Sequence, residues 1–197
     1  MSDPTSCCPG GGPFCARCDL LVGLDGLHVI GVDRHEVGGA LTVTVQSESV
    51  LMGCPVCGVV AHGHGRIDVR LVDAPAFGCP VTIVWRKRRW VCPDQGCEVR
   101  SFVEQDDQIA RPRSKMTVRA CYWAISQLRR EHASINGLRR QLGTSWRTVW
   151  ESIRPLLEAA DRTQPASQAS RRWAWMNTSG TTSGRNRPTW AGGVRRN

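Results

Sequence analysis

The chain has 197 residues, 41% of them apolar, and a formal net charge of +9. That length suits one ordinary domain or two small ones, and the modest apolar share favours small units held by a metal over one large core. No run of about 18 apolar residues occurs, and the stretch Met1 to Cys8 lacks the basic start and apolar segment of a secretory signal.

A reducing, cytoplasmic setting is therefore expected, where paired cysteines bind metal more often than they form disulfides. The charge is unevenly spread. Residues 1–108 hold 9 Lys and Arg against 13 Asp and Glu, residues 109–162 hold 11 against 4, and residues 163–197 hold 6 arginines and no acid. A polyanion would dock on the second half.

Residues 1–19 contain Cys7, Cys8, Cys15 and Cys18 among prolines and glycines. Cys15 and Cys18 have metal-knuckle spacing, and Cys7 or Cys8 could add ligands. No strand or helix pattern accompanies them, and Gly10-Gly11-Gly12-Pro13 cannot pack, so the expectation is a flexible Cys-rich leader. From Leu20 the pattern changes. Leu27 to Val32 and Leu41 to Val45 are short β-branched runs, the second cleanly alternating, with Val37-Gly38-Gly39 as turn residues between them. An antiparallel hairpin follows. His28 and His35 have no partner at ligand spacing and read as surface histidines.

Next come two cysteine pairs, Cys54-Pro55-Val56-Cys57-Gly58 and Cys92-Pro93-Asp94-Gln95-Gly96-Cys97. In each, proline fixes the entry to a turn and glycine lets the backbone fold so that amides face sulfur. Between them Ile67, Val69 and Leu71 alternate on one face, and Val81 to Trp85 forms another strand. That strand runs through Arg86-Lys87-Arg88-Arg89 into the second pair. Two thiolate pairs joined by a hairpin make a zinc ribbon, with Cys54, Cys57, Cys92 and Cys97 as ligands of a structural zinc ion. The 34 intervening residues exceed the usual separation of about 15–20, which suits a ribbon with lengthened strands. His62 and His64 are competitors for one ligand position. Cys79 has no mate and reads as a small packed residue. The basic run Arg86 to Arg89 can touch phosphates or form a solvated strand edge. This strand pair and ribbon span residues 20–105.

Residues 106–113 read as a linker, followed by a helical domain over 114–162. Met116, Val118, Cys121, Tyr122, Ile125 and Leu128 recur at helical spacing, with Arg129 and Arg130 placed well for the helix dipole. Cys121 falls on the apolar stripe. Ser134 can cap a short helix carrying Ile135, Leu138 and Leu142, and Gly143 can end it in the left-handed conformation. Thr144 or Ser145 caps the next helix, whose inner face is Val149, Ile153 and Leu156; Pro155 marks an expected kink or stop.

Helix, glycine turn, helix is the layout of a DNA-reading helix-turn-helix. In it Ser145, Trp146, Arg147 and Thr148 would meet base edges, Arg147 through two hydrogen bonds to guanine, while Arg139 and Arg140 would lie near the backbone. The fold class is thus α+β: a small β-rich zinc-ribbon domain, then an all-α helix-turn-helix domain, then a disordered tail.

With these parts in order, the chain resembles the N-terminal part of bacterial insertion-sequence transposases of the ISL type. The residues that carry the resemblance are Leu21 to Val29, Cys54 to Gly58, Arg88 to Cys92, and the core Leu142-Gly143-Thr144-Ser145-Trp146-Arg147-Thr148-Val149. The resemblance covers about residues 20–162. It implies a double-stranded DNA partner, the terminal repeats of a transposon. It also implies a possible homodimer or pairing with an intact transposase.

The family continues into a ribonuclease-H-like domain with three carboxylates and two divalent metals. Residues 163–197 depart from it: they hold no acid and no hydrophobic period. Reading the single-codon residues Trp173, Trp175 and Met176 in a shifted frame forces a glycine, an aspartate and a glutamate. With free codon choice elsewhere the shifted frame resembles the family's first catalytic segment. The expectation is an out-of-frame tail, a shift between about Asp161 and Trp173, and a DNA-binding fragment without catalysis. The rival reading is a stand-alone zinc-dependent transcriptional regulator, and a third is a zinc-ribbon scaffold for protein partners.

Overall fold

In the computed structural model, residues 14–36 and 39–163 are described. The elements run α1 (Ala16–Val22), β1 (Leu27–Arg34), β2 (Leu41–Ser47), β3 (His62–Ala76), β4 (Cys79–Val91), β5 (Ser101–Val103), α2 (Val118–Arg130), α3 (Ile135–Gln141) and α4 (Trp146–Thr163). The α+β class expected from sequence is what the chain adopts: a β-rich region carrying two cysteine pairs and, among the described residues, four helices.

The sheet has the order β1-β2-β4-β3. β1 and β2 form the expected antiparallel hairpin, though Val37 and Gly38 of its turn lie outside the described residues. β3 and β4 pair antiparallel along their whole length, from His62 opposite Val91 to Ala76 opposite Cys79. The two hairpins join through a parallel pairing of β2 with β4, Leu41 opposite Val81 to Val45 opposite Trp85. The short β5 pairs with β4 further on, at Arg89 to Val91.

Strand alternation sends Val43, Val45, Leu71, Val81, Ile83 and Trp85 to one face, where they are buried with Leu24, Leu27 and Val29. Trp85 is fully buried, and Lys87 Nζ lies 3.9 Å from the centre of its ring. A second core joins the helices: Met116, Ala120, Ala124 and Ile125 of the α2 region meet Leu138 and Leu142, and Val149 and Ile153 of α4. Val72 of β3 packs against it, and Val72 and Met116 form a β-bridge. Beside that bridge, Asp73 is 1% exposed. It accepts a hydrogen bond from the Thr117 hydroxyl at 2.6 Å and pairs with the Arg119 guanidinium, whose Nε donates to Asp73 Oδ1 at 2.8 Å. Arg119 also donates to the Val22 carbonyl. One ion pair thus ties β3, α1 and α2 together.

Three segments differ from the sequence reading. Ala16–Val22, half of it inside the stretch read as a leader, is helical, and Gly23 closes it at φ +59° with its N–H donating to the Asp19 carbonyl. Its Asp19 carboxylate then accepts from the Val29 amide at 2.7 Å and bonds His28 at 2.8 Å, anchoring the helix to β1. His28 is accordingly half-buried. Such a helix depends on a partner nine or ten residues on, which local periodicity does not show. Second, Ile109 and Ala110, within the stretch read as a linker, are buried in the sheet core. Gln105 holds that loop: it accepts from Lys87 at 2.9 Å and donates to the Ala110 carbonyl at 2.6 Å.

Third, α4 does not stop or break at Pro155 but runs on to Thr163. Pro155 and Glu151, whose carbonyl loses its helical donor, are both exposed, so water can satisfy that carbonyl. Cys79 is half-buried, its thiol donating to the Phe77 carbonyl at 3.5 Å. The expected out-of-frame tail falls on residues 164–197, outside the described residues.

Candidate metal centre and nucleic-acid interface

The first cysteine pair sits on a closed turn. Gly53 and Val60 form a β-bridge, the Cys54 amide donates to the Val59 carbonyl at 2.8 Å, and the Gly58 amide returns to the Cys54 carbonyl at 2.9 Å. Gly58 adopts φ +74°, which only glycine reaches without strain. The second pair follows the end of β4. Asp94 caps its own turn, accepting from the Gly96 amide at 2.9 Å, and the Cys92 amide donates to the Arg100 carbonyl at 3.1 Å. The β3–β4 hairpin sets the distance between the turns, because its His62 end emerges from the first and its Val91 end enters the second.

The four sulfurs of Cys54, Cys57, Cys92 and Cys97 lie within 4.8 Å of one another. Cys54 and Cys97 sulfurs are 3.7 Å apart, and those of Cys57 and Cys92 are 3.5 Å apart. A tetrahedral ion with metal–sulfur bonds of about 2.3 Å places its sulfurs about 3.8 Å apart, so the donor set fits such an ion. Cys54, Cys92 and Cys97 are buried and Cys57 is exposed, with Val99 and Phe102 packed alongside. Backbone amides of Cys57 and Val56 donate toward the Cys54 sulfur and pull its pKa down to about 7. Burial pushes the Cys92 thiol up to about 12. Four thiolates in this space require a cation to hold them. His62 and His64 are exposed, and among the described residues the cluster is made of the four cysteines alone. Cys121, by contrast, is packed in the helical core, where burial pushes its thiol up to about 11.

The helical region follows the caps that the sequence offers. Thr117 caps α2, accepting from the Ala120 amide at 3.2 Å. Ser134 caps α3, accepting from the Gly137 amide at 3.1 Å. Gly143 follows α3 at φ +63°, and a Cβ there would fall 2.9 Å from the Cβ of Pro80. Backbone conformation and close approach to β4 both exclude a side chain at this turn. Ser145 caps α4, accepting from the Thr148 amide at 3.1 Å, with its hydroxyl 2.9 Å from that of Thr148.

The residues singled out from sequence occupy the outer face of this turn and the start of α4. Arg140, Ser145, Trp146 and Arg147 are exposed; Arg139 and Thr148 are half-buried. Arg139 Nε donates to Asn136 at 3.1 Å. Arg147 Nε donates to Glu151 at 2.6 Å, one helical turn on, which raises the arginine pKa and lowers that of the glutamate. Trp150 stands with Trp146 among the exposed large hydrophobics. Sequence reasoning passed over both Glu151 and Trp150, although their four-residue spacing from Arg147 and Trp146 was visible.

Residues 51–97 match the family described as the zinc-finger of transposase IS204/IS1001/IS1096/IS1165. Residues 108–154 match the helix-turn-helix domain of transposase family ISL3. No curated protein and no solved structure shows significant similarity to the chain.

Proposed function

Because the chain carries the zinc-finger and helix-turn-helix modules of an ISL3-family transposase, we propose that it binds double-stranded DNA at transposon ends, reading sequence with the start of α4. The supporting observation is the turn at Gly143, which presents Ser145, Trp146, Arg147 and Thr148 outward from a helix whose opposite face is buried. In this reading Arg147 binds guanine through its two terminal nitrogens while Glu151 holds Nε. Thr148 and Ser145 contact base or backbone, and Arg139 and Arg140 meet phosphates.

Zinc is the ion proposed for the cysteine cluster: four thiolates in tetrahedral array select it, and a closed four-sulfur site leaves no coordination position for substrate. Its role is structural, holding the ends of β3 and β4. The functional division runs as the ribbon over 20–105 and the DNA-reading helices over 114–162, with Ile109 and Ala110 between them held in the sheet core. The matched segments are binding modules, so the activity proposed for this chain is recognition, without strand transfer, alone or paired with another copy or an intact transposase. A titration of the metal-loaded chain against duplex DNA at rising salt tests this. Binding that weakens linearly in log–log form supports it; no binding to any duplex at low salt removes it.

A further inference from the structure

The sheet has a second face, and the helices cover only its Val72 and Pro80 end. Side chains alternate along β4, so Pro80, Thr82, Val84, Arg86 and Arg88 lie opposite the buried Val81, Ile83 and Trp85. On β3, Arg66 stands directly across from Arg88, Asp68 from Arg86, and Arg70 from Val84. Arg66, Arg70 and Arg86 are exposed. Like charges directly opposite destabilise a strand pair, yet Arg66 and Arg88 hold that position. Burial and the Arg88 charge lower the Arg66 pKa.

Two carboxylates lie nearby. Asp68 is 3.5 Å from Arg86 Nε, and Glu104 accepts from the Arg88 amide at 3.0 Å. Arg66 Nη1 donates to the Arg86 carbonyl at 3.3 Å, and among the described residues neither Arg66 nor Arg70 forms an ion pair. The face keeps an excess of positive charge.

The same face leads to the recognition helices. Val72, the next residue on it after Arg70, packs into the helical core, and the turn at Gly143 abuts Pro80. Arg86 lies six positions beyond Pro80 on β4, about 20 Å of strand. That is less than one turn of duplex, about 34 Å.

We infer that this arginine face is a second duplex-DNA surface, on which Arg66, Arg70 and Arg86 contact backbone phosphates beside the site read by α4. The inference rests on the DNA-binding reading above. It makes the β-sheet a clamp on flanking DNA, independent of base sequence.

Fluorescence anisotropy with the full, metal-loaded chain tests it, on duplexes of one and of three helical turns. The variant with Arg66→Gln, Arg70→Gln and Arg86→Gln should bind the long duplex about tenfold or more weakly, equally for every sequence. Its salt slope should fall by about 2.7, from three lost phosphate contacts. On the short duplex, which reaches only about 17 Å to either side of a central site read by α4, it should match the wild type. Asp68→Asn, an exposed change that leaves the arginines in place, should tighten binding to the long duplex several-fold; this variant carries the test if the triple variant fails to fold. Wild-type affinity and slope on the long duplex in the triple variant, or unchanged affinity in Asp68→Asn, would overturn the inference alone. Failure of the wild type to bind any duplex would instead overturn the DNA reading.

Discussion

At its open end the β3–β4 hairpin carries four cysteines, backed by little more than Val99 and Phe102. Its turn end lies against helices whose core holds nine buried residues, from Met116 to Ile153. The two ends meet different physical needs. Around residues 50–60 the apolar side chains Val50, Leu51, Val56, Val59 and Val60 are all exposed, so hydrophobic burial contributes little there and a bound ion must supply the order. In the helices Leu138, Val149 and Ile153 are fully buried, each contributing about 1.5–3 kcal/mol, and no ion is needed. A strand pair about 13 residues long transmits order from one end to the other.

Breaking the open end should have the largest effect. Removing the metal with a chelator, or Cys92→Ser, forfeits a binding free energy of about 10–16 kcal/mol. Hydrogen exchange should then accelerate through residues 52–61 and 92–103, while the amides of α2 to α4 stay protected. Equal loss at both ends would mean that the helices lack a core of their own.

Asp73→Ala cuts the tie between the hairpin and α2. It leaves Arg119 without its carboxylate; since that arginine is about one-third exposed, the cost should sit near the lower end for a broken buried pair, about 3 kcal/mol, measured by urea unfolding. Gly143→Ala strains the turn and presses on Pro80; about 1–3 kcal/mol is expected, with the metal content unchanged. The smallest effect belongs to Ser134→Ala, about 1 kcal/mol from the lost α3 cap, which thermal melting can resolve.

The parts readable in the sequence were those specified locally. Each cysteine pair carries its own turn residues, Gly143 and Ser134 announce the α3 boundaries, and the alternation of Leu41 to Val45 gives away its buried face. The parts that escaped depend on distant partners. The parallel pairing of β2 with β4 joins segments about 40 residues apart, and no local pattern encodes it. The loop around Ile109 looked like a linker because its acids hide two buried residues, and Gln105, which donates to its Ala110 carbonyl, ties it to the distant Lys87 of β4. Pro155 misled for the opposite reason: its local rule is sound, but an exposed helix face lets solvent replace the missing bond.

The reading of α4 is tested most directly by Arg147→Ala. Its side chain is 77% exposed and, among the described residues, holds a surface pair with Glu151, so melting temperature and metal content should not change. Binding to the duplex that the wild type selects from a random pool should weaken by about 1–3 kcal/mol, with discrimination relaxed at one base pair. A variant that binds and discriminates as the wild type does would contradict the account.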